Sequence, residues 1–103
     1  MRVTNINGTS QNDCTCGSWL QHWLNFSHQP LPRYCSELGC LQRPTEGAHV
    51  QIDWATDNEW YIVPLCAVHN ALRGHTIELF SSATLVPANV DETCGKPHPI
   101  PTS

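Results

Sequence analysis

The stretch YIVPLCAVHN, residues 61–70, carries the strongest structural signal in the chain. Its first half is rich in β-branched and aromatic residues, which favour a strand, and the run AVHNALRG that follows Cys66 favours a short helix ended by Gly74. At the junction Cys66 and His69 stand three residues apart, and Asn70 follows directly. A Cys-x-x-His pair of this kind holds a structural metal or lines an active site, and the surrounding sequence must decide between the two.

Two segments upstream complete the local pattern. In YCSELGC, residues 34–40, Gly39 gives the backbone the freedom to form a tight turn that brings two thiols together. In GAHVQID, residues 47–53, apolar residues alternate with polar ones, which predicts a strand with one face on a core. His49 is polar in that alternation and is expected to point away from the apolar face. The predicted order is therefore a cysteine turn, a strand hairpin and a helix.

The cysteine turn and the short helix predicted after Cys66 together form a candidate metal site. The intervening strands fold Cys35 and Cys40 back onto Cys66 and His69. Three thiolates and one imidazole suit tetrahedral zinc in a closed structural site. Such a site carries a charge of about −1, so backbone N–H groups of the turn and the helix are expected to donate to the sulfurs. The alternatives are ordinary buried cysteines with a surface histidine, or disulfides.

The remaining sequence predicts one small α+β domain at residues 14–94, between a loose arm at 1–13 and a proline-rich tail at 95–103. Ser18 and Gln21 form a capping-box pattern ahead of an amphipathic helix at 18–27. Two further short strands are predicted in TIELF and ATLVPANV, at 76–80 and 83–90. Cys16 and Cys94 are either small buried residues or part of a disulfide or a second metal site, and no role is predicted for Cys14.

Composition excludes several classes of function. The 103 residues include only five lysines and arginines and carry a net charge of −4, so strong non-specific DNA binding is not expected. The chain has neither the run of roughly 20 apolar residues that a membrane span needs nor a secretion signal at its start. We expect a cytoplasmic location, where cysteine clusters are metal or catalytic sites more often than disulfides. The sequence does not indicate an oligomeric state.

Residues 35–80 resemble the zinc-containing branch of the HNH, or His-Me finger, nuclease superfamily: the cysteine turn, GAHV with His49, YIVPLC, and Cys66-x-x-His69-Asn70 come in the same order. The resemblance implies a treble-clef, or ββα-metal, fold. It also implies that His49 is the general base and that Asn70 binds a catalytic divalent ion such as Mg²⁺. Two positions depart from the family pattern, because Ala48 and Tyr61 stand where a metal ligand and a base-orienting asparagine are usual.

Loss of those two groups favours a non-catalytic, zinc-binding HNH-like domain that binds a protein or nucleic-acid partner. The alternative is a metal-dependent endonuclease with His49 as its base, in which Asp53, on the same strand face, replaces the missing ligand. If His49 is not catalytic, its ring is expected to hydrogen-bond a backbone carbonyl near the zinc site. A third hypothesis is a small redox protein built on the other cysteines, but the sequence lacks the Cys-x-x-Cys motif that such proteins use.

The tryptophans expected in the core are Trp19, Trp23 and Trp60, whereas Trp54 is expected at the surface.

Overall fold

The computed structural model describes residues 1–6, 18–53 and 59–88. Within these residues five antiparallel strands form one sheet in the order β4-β1-β2-β3-β5, accompanied by two helices. The elements, in chain order, are β1 (Arg2–Asn5), α1 (Trp19–Ser27), β2 (Glu46–Ile52), β3 (Tyr61–Leu65), α2 (Ala67–Asn70), β4 (Thr76–Glu78) and β5 (Val86–Pro87). None of the described helices has the length and apolar character needed to cross a membrane.

Strands β2 and β3 form the hairpin at the centre of the sheet, with Ala48 opposite Val63 and His49 opposite Ile62. Side chains alternate between the two faces of a strand, so Ala48 and Val63 lie on one face and His49 and Ile62 on the other. We call the first the cysteine face, since the buried cysteines pack there with buried apolar residues from strands β1 to β4. The second is the α1 face, where Trp23 of α1 covers Ile62 and Val86.

The first strand corrects the expectation of a loose arm at residues 1–13. Strand β1 lies inside the sheet, between β4 and β2, and Val3 and Asn5 are completely buried. Val3 joins the core of the cysteine face. The Asn5 amide donates hydrogen bonds to the backbone carbonyls of His69 and Asn70 at 3.0 and 2.9 Å, so its burial does not leave the group unsatisfied. Residues 7–13 lie outside the described residues.

Helix α1 begins at the predicted cap, where the Ser18 hydroxyl accepts a hydrogen bond from the backbone N–H of Gln21 at 3.0 Å. It ends at His28, whose φ of 58° is left-handed. The first turn of the helix lies directly on strand β2 at Gly47, where a Cβ would collide with the backbone of Trp19 and Leu20. Glycine at position 47 is therefore what allows α1 to approach the sheet.

The C-terminal strands are shorter than the predicted spans of 76–80 and 83–90. Strand β4 covers Thr76–Glu78 and pairs with β1, and β5 covers Val86–Pro87 and pairs with β3. The segment that leads into β5 also fixes α1, since the Trp23 indole donates to the carbonyl of Thr84 at 2.8 Å. Several predicted features lie outside the described residues: Cys14, Cys16, Trp54, Cys94 and the tail at 95–103.

Candidate metal centre

The four residues predicted to hold a metal lie together on the cysteine face. One ligand atom from each of Cys35, Cys40, Cys66 and His69 is within 4.8 Å of all the others. The Nδ1 atom of His69 is 3.2 Å from the Cys66 sulfur and 3.6 Å from the Cys35 sulfur, and the Cys40 and Cys66 sulfurs are 4.0 Å apart. Zinc–sulfur bonds of about 2.3 Å in a tetrahedron give ligand separations of about 3.5–3.8 Å, which these distances bracket.

Local backbone geometry places the first two cysteines. Gly39 has a φ of +86°, which is the left-handed region that glycine adopts without steric cost. The turn closes with a hydrogen bond from the Cys40 N–H to the Glu37 carbonyl at 3.0 Å, and the Cys35 N–H donates to the Gln42 carbonyl at 2.8 Å. The two flanks of the turn therefore run side by side, and both thiols face the helix.

The other two ligands come from the start and the end of α2. The Cys66 sulfur caps this helix and accepts a hydrogen bond from the His69 N–H at 3.5 Å. The Gln42 N–H donates to the Cys40 sulfur, also at 3.5 Å. These backbone donors are of the kind expected to stabilise a buried site with excess negative charge.

The surroundings shift the pKa of Cys35 and that of Cys66 in opposite directions. Burial raises the pKa of Cys35 to about 12. Burial acts in the same direction on Cys66, but hydrogen bonds from the backbone and ring of His69 and from the other two cysteines together outweigh it and lower the pKa of that thiol. All three cysteines are buried and none forms a disulfide. Three sulfurs and an imidazole nitrogen at these separations fit one divalent cation, whose positive charge favours the thiolate forms.

Glu37 is a member of the site that the sequence pattern did not single out. Its carboxylate lies 3.8 Å from the Nε2 atom of His69, on the side of the ring opposite the sulfurs. A ligand histidine commonly directs its second nitrogen at a carboxylate, which fixes the tautomer and the ring orientation. The sequence feature that could have identified Glu37 is its position between Cys35 and Cys40 within the cysteine turn.

His49 lies on the α1 face, away from the cysteine cluster. Only 2% of the residue is exposed, and its ring packs edge-on against Trp19 with the ring centroids 4.6 Å apart. Burial, with a smaller contribution from the nearby His22, lowers the pKa of His49 to about 4. The sequence predicted that His49 points away from the apolar face formed by Ala48 and Val50, and its placement agrees with that prediction. The covering of that second face by α1 was not predicted.

Asn70 lies at the end of α2, on the cysteine face, where its carbonyl accepts a hydrogen bond from Asn5. The structure therefore does not bring His49 and Asn70 together, because the sheet separates them. Asp53, the suggested substitute ligand, lies exposed beyond the end of β2 and accepts a hydrogen bond from the Thr4 hydroxyl. Trp60 differs from its predicted core position, since 40% of it is exposed.

No model of a known protein family, no curated protein and no solved structure matches this chain. Its class is defined by the fold and the site: a small α+β protein with an antiparallel sheet and a Cys₃His cluster that can bind a metal ion.

Proposed function

We propose that the chain is a zinc-binding domain of HNH-like, treble-clef architecture that acts without catalysis, as a binding module for a protein or nucleic-acid partner. One observation carries the proposal: the Cys₃His cluster is complete on one face of the sheet, while the histidine expected to act as a base is buried on the other. The residues that match the family's structural metal ligands thus lie close together, whereas His49 and Asn70, which match its catalytic residues, lie on opposite faces of the sheet.

Zinc is supported by the donor set. Thiolate and imidazole ligands in a closed four-ligand site favour zinc over magnesium or calcium, which prefer oxygen. The treble-clef assignment is supported by the order of the parts, since a cysteine turn, the β2–β3 hairpin and α2 follow one another and enclose the cluster. When bound, zinc would link the turn to the helix across the hairpin.

The non-catalytic assignment is supported by the surroundings of His49. A general base must reach the water whose proton it takes, directly or through one other water, and His49 is covered by Trp19. With a pKa of about 4 the imidazole is also a weak base at neutral pH. The alternative, an endonuclease in which His49 acts beside a magnesium ion on Asn70, would need these residues on the same face.

A binding role is supported by what surrounds the cysteine cluster. Leu38 and Leu41 flank Cys40 in the turn, Val68 lies between Cys66 and His69, and all three side chains are exposed. Large apolar side chains grouped at a surface are typical of sites that contact a partner. The zinc would then serve to hold these side chains in fixed positions.

Elemental analysis and a nuclease assay on the purified protein test the proposal. We expect one zinc per chain, and no cleavage of supercoiled plasmid, single-stranded DNA or RNA in magnesium, manganese or nickel. Two variants accompany the wild type: His49→Ala, and His75→Ala as an exposed control histidine. Metal-dependent nicking that is lost in His49→Ala and kept in His75→Ala would overturn the non-catalytic assignment. A folded protein without zinc or a similar metal would overturn the metal assignment.

A further inference from the structure

Two of the five permanent cations of the chain line the same cleft. Arg33 and Arg43 face a space of about 440 Å³ whose other walls are Leu31, Pro32, Pro44 and Thr45. They are ten residues apart in sequence and lie on the two flanks of the cysteine turn. The hydrogen bond from the Cys35 N–H to the Gln42 carbonyl holds those flanks side by side. We call this space the arginine cleft.

The arginine cleft contains two positive charges, and the carboxylate of Glu46 lies beside its wall, where it accepts a hydrogen bond from the Thr45 hydroxyl at 3.3 Å. No acidic residue lines the cleft itself, and among the residues that the structure describes neither arginine forms an ion pair. Two guanidinium groups on one cleft repel each other, and an anion between them relieves that repulsion. In a chain with a net charge of −4, such a grouping is suited to an anionic ligand.

The walls of the cleft show what kind of anion would fit. Leu31 is exposed, and Pro32 and Pro44 add rigid apolar surface beside the two charges. A second cleft of about 410 Å³ adjoins it, shares residues 31–33, and continues past Tyr34 and Phe80. An occupant that bridges both would present an acidic group to the arginines and an apolar or aromatic group to the second cleft.

We propose that the arginine cleft binds the carboxylate of an acidic peptide segment of a protein partner, with an apolar neighbour of that carboxylate in the adjoining cleft. The inference rests on the proposed binding function and names the class of partner. Arginine binds carboxylates through paired N–H···O bonds. The Thr45 hydroxyl already donates to Glu46, so the two guanidinium groups supply the donors, and the proline and leucine walls shield one side of the contact from water.

A nucleic acid fits this surface less well than a peptide does. Affinity for a polyanion grows with the number of phosphates that lysines and arginines neutralise, and the cleft offers two cations on a chain whose net charge is negative. A segment with one or two carboxylates requires no further cations. The structure therefore favours a peptide, and an oligonucleotide becomes a competing outcome of the test.

The test is a selection of phage-displayed random dodecapeptides on three zinc-loaded proteins: wild type, Arg33→Gln/Arg43→Gln, and Arg73→Gln. Arg73 is an exposed arginine after α2 and serves as the matched control. We expect peptides with an acidic residue next to an apolar one to be enriched on wild type and on Arg73→Gln, and not on the double variant. Changing the acidic residue of the best synthetic peptide to its amide should weaken binding to wild type about tenfold, as for loss of a charge-assisted hydrogen bond.

Three results would overturn the inference: no enrichment of acidic residues on wild type, enrichment that persists in the double variant, or a fluorescent oligonucleotide that binds wild type and not the double variant while peptides bind neither. Zinc content and thermal melts measured on the same samples separate this inference from the proposed function. Zinc-loaded, folded wild type that selects no acidic peptide contradicts the inference alone, whereas folded wild type without metal contradicts the proposed function.

Discussion

The two faces of the sheet are stabilised in different ways. The core of the cysteine face combines residues that are far apart in sequence, such as Val3, Cys35 and Leu79. A metal on that face would cross-link the turn to α2. On the α1 face, the buried apolar cluster within the described residues consists of Trp23 of helix α1 packed on Ile62 and Val86. Folding should therefore depend on ligation at the cysteine face and on close packing at the α1 face.

The largest effect is expected from breaking the cysteine face with Cys66→Ser. Structural zinc contributes on the order of 10–16 kcal/mol of binding free energy in zinc-finger peptides, which is comparable to the whole stability of a small domain. Serine keeps an oxygen that can cap α2, where the Cys66 sulfur now accepts a hydrogen bond. The loss is thus attributable to ligation, and we expect no cooperative melt and no bound zinc.

Cys14→Ser is the control for this substitution, because it removes a thiol for which no role is predicted. Removing zinc from the wild type with a chelator should reproduce the Cys66→Ser melt, and returning zinc should reverse it. If Cys66→Ser instead melted cooperatively within about 0.5 kcal/mol of wild type, a change expected of an ordinary surface site, the cluster would not be the element that holds this face together.

The α1 face is best broken at Gly47. A methyl group there collides with the backbone of Trp19 and Leu20, and backbone atoms cannot move aside as a flexible side chain does. We expect Gly47→Ala to cost about 3 kcal/mol, the upper part of the usual range for overpacking. Denaturant melts measure that cost. Tryptophan fluorescence should shift as α1 moves from the sheet, whereas zinc content should stay at wild-type level.

Gly74→Ala separates this collision from the general cost of replacing a glycine. Gly74 has a φ of +80° and open space around its Cα, so alanine there should cost about 1 kcal/mol through backbone strain alone. Its tryptophan fluorescence should match that of wild type. Equal losses of stability in the two variants, with unchanged fluorescence in both, would mean that the contact between α1 and β2 is not tight.

Acid should weaken the α1 face through His49. Its pKa falls from the ordinary 6.5 to about 4 on burial, so between these values the unfolded chain binds more protons than the folded one and stability drops as the pH falls. From pH 8 to pH 5 this amounts to about 2 kcal/mol. Protonation of the metal ligands adds its own loss over the same range, so the quantity to measure is a difference.

That difference is the pH dependence of unfolding free energy in wild type minus that in His49→Gln, at fixed zinc concentration. The variant keeps the contribution of the metal ligands and loses that of His49, so its stability should fall about 2 kcal/mol less between pH 8 and pH 5. Parallel curves for the two proteins would show that His49 titrates normally and that α1 does not seal the ring from water.

The sequence predicted the parts of this fold whose signals are local. The spacings Cys35–Cys40 and Cys66–His69 are short-range patterns, and all four residues lie together in the structure. The Ser18 cap is also a local signal and is present, although the Gln21 side chain bonds Asn25 and does not complete the capping box. Strand β1 was missed because its evidence is distant. Asn5 reads as a polar residue of a loop until its side chain is seen to bind the carbonyls at the end of α2, more than 60 residues away.

The same limit applies to His49 and Glu37. Alternation in β2 predicts the face on which His49 lies, but the covering of that face by α1 depends on tertiary packing, which periodicity does not encode. The carboxylate of Glu37 gains its role only when α2 turns the ring of His69 towards it. Local patterns thus predicted which residues are ligands, whereas the groups that surround each ligand could be identified only from the tertiary structure.

The smallest effect, and the sharpest test of the cysteine face, comes from Glu37→Gln. The Glu37 carboxylate faces Nε2 of His69 at 3.8 Å, so we infer that it keeps the proton on Nε2 and leaves the Nδ1 lone pair directed at the metal. An amide oxygen still accepts a hydrogen bond but carries no charge, and zinc affinity should fall about tenfold, the low end for loss of such a partner. Competition with a chromophoric chelator measures this affinity.

Asp53→Asn, the same acid-to-amide change at an exposed site, is the control and should leave zinc affinity unchanged. Nitrogen NMR of His69 in the zinc-loaded protein should show Nε2 protonated in wild type. If Glu37→Gln bound zinc as tightly as Asp53→Asn does, the backbone N–H groups that donate to the sulfurs would by themselves be sufficient to orient this site.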